Sequence, residues 1–317
     1  MAAPGLNSLP HIWLRQLLMV SWLRSHVRWD EVLVVQRLRC RVGDAWFSYF
    51  PLLGNELQYV LLIPGLSWLI VDEGDIARQF TSVAFYACFL ANGVKDVLCL
   101  PRPPAKLHVR FDEHVAQQYG FPSTHSAHAL ALSWLLASEA VPLVGPSTAW
   151  AVALLNTVHV CVSRMYMGVH SLADIVGGLA IGALVIVLFS SVRWQAGHFV
   201  TSALTLTALV VYPDRRASNT AYTEMVQFAG LHLGACLTTG QDAARLVSPR
   251  APATPMQFVL GLIALGAFRT AASAAAKSLV RLMPPRWQDS AAIARHLLVS
   301  MLAAWWVLAL HPSALYG

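Results

Sequence analysis

Charge is scarce in this chain. Of 317 residues, Asp, Glu, Lys and Arg together supply only 12%, against a hydrophobic share of 56%. With a mean hydropathy of +0.55, that balance excludes an ordinary soluble domain and indicates a polytopic membrane protein. Acidic residues are the scarcer sign, 16 against 22 Lys and Arg. The surplus does not point to nucleic acid, because no soluble basic domain is present to carry such binding; it suits the phosphate headgroups of membrane lipids. Cysteine is sparse too. Cys88, Cys161 and Cys236 fall inside apolar segments with no CxxC spacing, so neither a disulfide framework nor a zinc site is indicated. Internal repeats and low-complexity tracts are lacking. A secretory signal is not evident, since Arg15 interrupts the first apolar stretch and no small-residue cleavage site follows.

What is present is a succession of apolar runs. Residues 8–26 mix Trp13, Leu17, Leu18, Trp22 and Leu23 with Arg15 and Arg24, a pattern for an amphipathic helix lying on a membrane. A shorter helix is expected over 30–41. Spans are expected over 49–71, 79–100, 122–141, 147–164 and 172–192, each near the roughly 20 residues a crossing needs. In the first, Glu56 and Gln58 should face the protein interior. The run over 199–212 is short for a span, and further helices are expected over 224–240, 256–280 and 291–311. The chain thus divides into a membrane-surface region (1–44), a helical transmembrane core (45–215) and C-terminal transmembrane helices (216–317).

Three clusters interrupt these runs. Lys95 and Arg102 close the second span, Pro122 to Ser126 (PSTHS) open the third, and Ser163 to Asp174 (SRMYMGVHSLAD) join the fourth to the fifth. The third and fourth spans make a return trip, so topology brings all three clusters to one membrane face. If the last helix begins near Gly168, His170 and Asp174 stand at i and i+4 on one helix face. Arg164 adds a planar fork of donors suited to phosphate oxygens. Pro122 suits the first turn of a helix whose leading amides form an anion site, Ser123 and Thr124 add hydroxyl donors, and His125 can carry a proton. Arginine and histidine at a helix end also snorkel to headgroups, and aspartate also caps; His128 reads as structural, as do His159, His198, His232, His296 and His311. Phosphate-monoester hydrolysis needs several fixed cations, a nucleophile and an acid acting together. Lys95, Arg102 and Arg164 offer the cations, His170 the nucleophile and His125 the acid.

KDVLCLPRP from Lys95, PSTH from Pro122 and SRMYMGVHSLAD from Ser163 resemble the three signature motifs of the type 2 phosphatidic acid phosphatase (PAP2) superfamily. Thr124 departs from the broad pattern, where many members have glycine. That threonine, with CLPRPP, Leu107–His108, YGFPSTHS and GNELQYVLLIP from Gly54, is similar to the sphingosine-1-phosphate and long-chain-base phosphate phosphatase branch. The resemblance implies an all-α, PAP2-like helical bundle with additional C-terminal transmembrane helices. It implies that His170 attacks phosphorus to form a phosphohistidine, that Asp174 orients it, and that His125 protonates the departing alcohol. Lys95, Arg102, Arg164, Ser123 and the amide of Thr124 would hold the phosphoryl oxygens, with no metal and no cofactor. The partners implied are a lipid phosphate substrate and membrane lipids. An endoplasmic reticulum membrane with a luminal site is implied as well. The positive-inside rule disagrees, because Arg15, Arg24, Arg28, Arg37, Arg39 and Arg41 share the site's face and would make it cytosolic.

Two rival readings stand beside this one. A lipid transporter or scaffold on the same fold would use the cations only to hold a headgroup. A metal site would use His125, His170 and Asp174 as ligands, which the crowd of cations opposes. Phosphatidate, an isoprenoid diphosphate and glucose phosphate stay open as substrates.

Overall fold

The computed structural model describes residues 29–49, 56–69, 75–109, 118–191, 198–238 and 252–309. Among the described residues every regular element is helical. The amphipathic helix expected over 8–26 lies outside them, as do the side chains of Glu56 and Gln58.

Two short helices come first, α1 (Asp30–Gln36) and α2 (Arg41–Tyr49). They replace the single helix expected over 30–41, and tertiary anchors account for the break. The Gln36 amide donates to the carbonyls of Leu107 and Tyr166. The Cys40 N–H donates to the Tyr166 hydroxyl at 3.0 Å, and that hydroxyl lies 3.0 Å from Asp44 Oδ1. The Cys40 N–H, which a continuous helix would give to the Gln36 carbonyl, goes to the Tyr166 hydroxyl instead, so the helix ends before it.

The bundle follows: α3 (Glu56–Trp68), α4 (Asp75–Leu98), α5 (Thr124–Val144), α6 (Pro146–Tyr166), α7 (Leu172–Ser191), α8 (His198–Val211), α9 (Thr220–Cys236), α10 (Pro255–Leu282) and α11 (Pro285–Ala309). Of these, α5, α7, α10 and α11 are long and apolar enough to cross a membrane, and the chain is a multi-pass membrane protein. Over 49–71, where a full span was expected, α3 has 13 residues with Pro64 inside it.

Outward faces support the membrane reading. Val152, Leu154, Leu155 and Val158 on α6, and Val176, Leu184, Val187 and Leu188 on α7, are exposed. Stripes of large apolar side chains turned outward suit lipid, where helix association rests on close packing rather than on exclusion from water. Inside, Phe80 and Phe85 of α4 pack with Leu132 and Leu135 of α5, Met225 and Phe228 of α9, and Val307 of α11 in one core. The C-terminal helices therefore complete the same core as the central ones, with α9 packed against both α4 and α11.

The central helices explain where the site falls. α5 and α6 form a hairpin about Gly145, with Pro146 opening α6, and the Asn156 amide donates to Ser133 Oγ at 2.8 Å between them. The start of α7 then returns to the start of α5. Gly178 makes this approach possible, because a Cβ there would strike the Ser123 carbonyl. Backbone bonds stitch the same end together: Gly120 N–H to Leu100 O at 2.8 Å, Ser123 N–H to Asp174 O at 2.8 Å and Val109 N–H to Met167 O at 3.0 Å.

Candidate active site

Each cluster stands at a helix terminus on this one end of the bundle. Lys95 lies in the last turn of α4, and its Nζ donates to Thr124 Oγ1 at 2.9 Å, Asn92 Oδ1 at 3.0 Å and Gln118 Oε1 at 3.3 Å. An ammonium has three donors, so all are engaged without ligand. A phosphoryl oxygen would have to replace one acceptor, and Gln118, the longest of the three, is the natural one to yield. Thr124 Oγ1 in turn donates to Asn92 Oδ1 at 2.6 Å.

α5 begins at Thr124 rather than at Pro122. Ser123 is its N-cap, accepting from the Ser126 N–H at 3.3 Å, so Pro122 precedes the helix instead of sitting in its first turn. The leading amides of α5, Thr124 among them, still lack helical acceptors and can receive an anion. Ser123 is fully buried, and its Oγ also accepts from Ser126 Oγ at 3.1 Å. His125, on the first turn, lies in the electrostatic field of Arg164, His170 and Lys95. His128 has both ring nitrogens bonded, to the Tyr59 hydroxyl at 2.9 Å and the Ala84 carbonyl at 3.0 Å, which fits its structural reading.

The third cluster corrects a more important expectation. α7 begins at Leu172 rather than near Gly168, and His170 lies in the preceding loop. Gly168 is the pivot of that loop, with φ +73° and its α-carbon pressed against the Leu107 carbonyl, where a Cβ would collide. Ser171 and Asp174 form a reciprocal cap: the Asp174 carboxylate accepts from the Ser171 N–H at 2.7 Å, and Ser171 Oγ accepts from the Asp174 N–H at 3.2 Å. The i, i+4 neighbours nonetheless meet, with His170 Nδ1 3.5 Å from Asp174 Oδ2. That is ion-pair distance rather than a formed hydrogen bond, and Nδ1 has no hydrogen-bond partner among the described residues. Catalytic contacts often tighten only when substrate is bound.

On the other side of the ring, Arg102 Nη1 lies 3.1 Å from His170 Nε2. A guanidinium can only donate, so Nε2 presents its lone pair and the ring proton resides on Nδ1, facing Asp174. Burial, reinforced by Arg102, Lys95 and Arg164, holds His170 well below the ordinary imidazole range; the ring is neutral at pH 7 with its lone pair at Nε2. Arg102 itself is held by the Gln118 carbonyl at 3.0 Å and the Val169 carbonyl at 3.0 Å. Its pKa, pushed down to about 10 by burial, still leaves a cation. Arg164 is buried; its Nε donates to Ser163 Oγ at 3.1 Å. Its charge acts on both Arg102 and His170.

The structure therefore brings Lys95 to Thr124, Arg102 to His170 and His170 to Asp174, and joins Ser123 to Asp174 through the backbone. It also shows three residues that the motifs did not indicate. Asn92 and Gln118 share Lys95, and both send an amide to Glu224 Oε2 on α9, at 3.2 and 3.4 Å. Asn92 stands one turn before Lys95 on α4, which spacing could have suggested; Gln118 and Glu224 carry no local signal. Among the described residues no group of three His, Cys, Asp or Glu side chains is placed to hold a metal.

A buried neutral imidazole bonded to Arg102, with the charges of Lys95 and Arg164 acting on it, thus stands at one end of the helical bundle. Residues 77–198 match the family model of the PAP2 superfamily. The chain is 29% identical to lipid phosphate phosphatase delta of Arabidopsis thaliana over 78% of its length and 66% of the relative's. It is 31% identical to a dihydrosphingosine 1-phosphate phosphatase of Saccharomyces cerevisiae over 52% of its length and 45% of the relative's. With human sphingosine-1-phosphate phosphatase 2 the identity is 31% over 45% of this chain and 36% of the relative. The chain thus spans from about a third to about two thirds of the length of these relatives. No solved structure matches it significantly.

Proposed function

We propose that this protein is a lipid phosphate phosphatase that hydrolyses sphingosine 1-phosphate or related long-chain-base phosphates through a phosphohistidine. The observation that carries the chemistry is the bonded state of His170, with its Nε2 lone pair directed at the Arg102 fork. A phosphoryl group bound by Arg102, Lys95 and Arg164 would draw Arg102 Nη1 off Nε2 onto its own oxygens and so meet that lone pair. The leading amides of α5 and the Ser123 hydroxyl complete its cradle.

In the first half-reaction His170 Nε2 forms a bond to phosphorus as the bond from phosphorus to the lipid oxygen breaks, and His125 gives its proton to that oxygen. Asp174 stabilises the positive ring through Nδ1–H. In the second, His125 takes a proton from water, whose oxygen attacks phosphorus; the P–N bond breaks and phosphate leaves. The fixed cations neutralise charge on the transferring group without reorganising, which is where most of the acceleration originates.

The long-chain-base preference is supported by the yeast and human relatives rather than by the site's geometry. Purified protein offered sphingosine 1-phosphate, dihydrosphingosine 1-phosphate, phosphatidate and an isoprenoid diphosphate in one detergent, scored by phosphate release, tests it. The long-chain-base phosphates should have the higher kcat/KM. Comparable values for phosphatidate would make the protein a general lipid phosphatase; binding without release by any of them would support the scaffold reading.

We place the protein in the endoplasmic reticulum membrane with the site facing the lumen, a reading supported by the branch resemblance and opposed by the count of arginines on that face. A glycosylation acceptor placed within 104–119 and expressed in a eukaryotic host should acquire sugar. Lack of sugar, with protease cleavage of that loop in sealed microsomes, would put the site in the cytosol.

A further inference from the structure

Glu224 is a carboxylate inside the helical bundle, a placement that is costly in a membrane protein and usually functional. Its Oε2 accepts from the Asn92 and Gln118 amides, the same two side chains that hold Lys95. A carboxylate offers about four acceptor positions, and these two bonds use only one of its oxygens. Among the described residues no cation lies within ion-pair distance of it. The carboxylate therefore stands one amide away from Lys95 without a direct ion pair, and acts on Lys95 and Arg102 only across that gap.

Glu224 also lines a cavity of about 210 Å³ between α3, α9, α10 and α11. The lining is mainly apolar, with Ile63, Phe228, Leu231, Leu265 and Val307 in it. Arg269 shares the lining. An apolar cavity of about 150 Å³ accommodates benzene, so this one has room for the proximal carbons of an alkyl chain. On one line of contacts the protein thus places phosphate-binding cations, then a carboxylate, then apolar space. An amphiphile with a phosphate, an ammonium on the neighbouring carbon and a hydrocarbon chain has the complementary order.

We propose that Glu224 is a specificity-determining residue that receives the ammonium of an amino-lipid phosphate, with the cavity behind it taking the start of the chain. This rests on the phosphatase reading and adds to it a physical basis for choosing amino lipids. The competing role for Glu224 is purely architectural: holding Asn92 and Gln118 so that they position Lys95. The two roles differ in one respect. Architecture serves every phosphate substrate alike, whereas ammonium recognition serves only those that carry the charge.

The experiment compares wild type, Glu224→Gln and Gly266→Leu on sphingosine 1-phosphate and on a lysophosphatidate, which has a hydroxyl where the amino lipid has its ammonium. Glu224→Gln keeps the shape and hydrogen bonding of the side chain while removing its charge. It should lower the ratio of kcat/KM between amino lipid and lysophosphatidate at least tenfold, mostly through KM. Gly266 lines the cavity and faces open space where a Cβ would stand, so leucine there fills the cavity without a backbone clash. It should reduce the preference for an 18-carbon over an 8-carbon amino phosphate several-fold. An equal fall on both lipids in Glu224→Gln, or no change in the ratio, overturns ammonium recognition and leaves the phosphatase reading intact. Release from neither lipid by the wild type overturns the phosphatase reading itself, and this inference with it. Should Glu224→Gln fail to elute as a single species, Gly266→Leu still decides the placement of the chain, because an unchanged length preference excludes the cavity.

Discussion

Arg102 and His170, 68 residues apart in the chain, face each other with Nη1 3.1 Å from Nε2. The contact puts the ring proton on Nδ1 and the lone pair on Nε2, the nitrogen that we propose attacks phosphorus. It also ties His170 to the loop that follows α4, so loss of either residue disturbs the other.

His170→Ala should abolish phosphate release while the protein stays folded, and retention of a tenth of wild-type activity would remove His170 as nucleophile. Asp174→Asn should cost about two to four orders of magnitude, the range for losing the group that orients a catalytic histidine. Ser171→Ala separates orienting from capping. It deletes one half of the cap and should cost about 0.5–2 kcal/mol of stability with a far smaller loss of turnover than Asp174→Asn.

The pH profile follows from the lowered His170 value. A histidine with a depressed folded pKa stays neutral as pH falls past 6.5 and takes its proton only further into acid. The acid limb of kcat/KM attributable to it should therefore lie below the ordinary imidazole value of about 6.5. Stability moves the same way: below that value the unfolded chain binds a proton that the native state refuses, so stability falls toward acid. An acid limb at or above about 6.5 in the wild type that moves in Asp174→Asn, which keeps measurable turnover, would contradict the buried neutral ring.

Gly168→Ala should destabilise the loop that carries His170. A left-handed conformation costs a side-chain-bearing residue about 1–2 kcal/mol, and the new methyl group would also meet the Leu107 carbonyl. The expected outcome is a lower unfolding midpoint together with lower kcat; wild-type values for both would show that the loop relaxes freely.

Thr124→Val keeps the shape of the side chain but removes the acceptor for Lys95 and the donor to Asn92. A buried group left unsatisfied costs about 1–3 kcal/mol, measurable by denaturant unfolding in detergent. Phosphate affinity should weaken as well, because Lys95 then leans on Gln118 more heavily. Unchanged stability would mean that water replaces the hydroxyl.

Chelator should leave activity intact, since three protein cations surround the site, and vanadate should inhibit through the same residues. Loss of activity in chelator with recovery on adding magnesium or zinc would favour the metal reading.

The apolar runs and the three motifs show in the sequence most of the helices and the return of Lys95, His125 and His170 to one end of the bundle, because helix length and the parity of crossings depend only on local hydrophobicity and chain order. Boundaries at Leu98, Thr124 and Leu172 differ from expectation by a few residues, and those at Thr124 and Leu172 follow from short-range capping by Ser123 and Ser171. Tertiary structure alone decided three further matters. The break between α1 and α2 depends on Gln36 and Cys40 meeting Tyr166 across more than a hundred residues. Asp174 proved to cap its helix as well as to face His170, which no spacing rule separates. The link from Lys95 through Asn92 and Gln118 to Glu224 joins helices far apart in the chain. Hydrogen bonds between side chains act over about 3 Å, and which residues come that close is settled only when the helices pack.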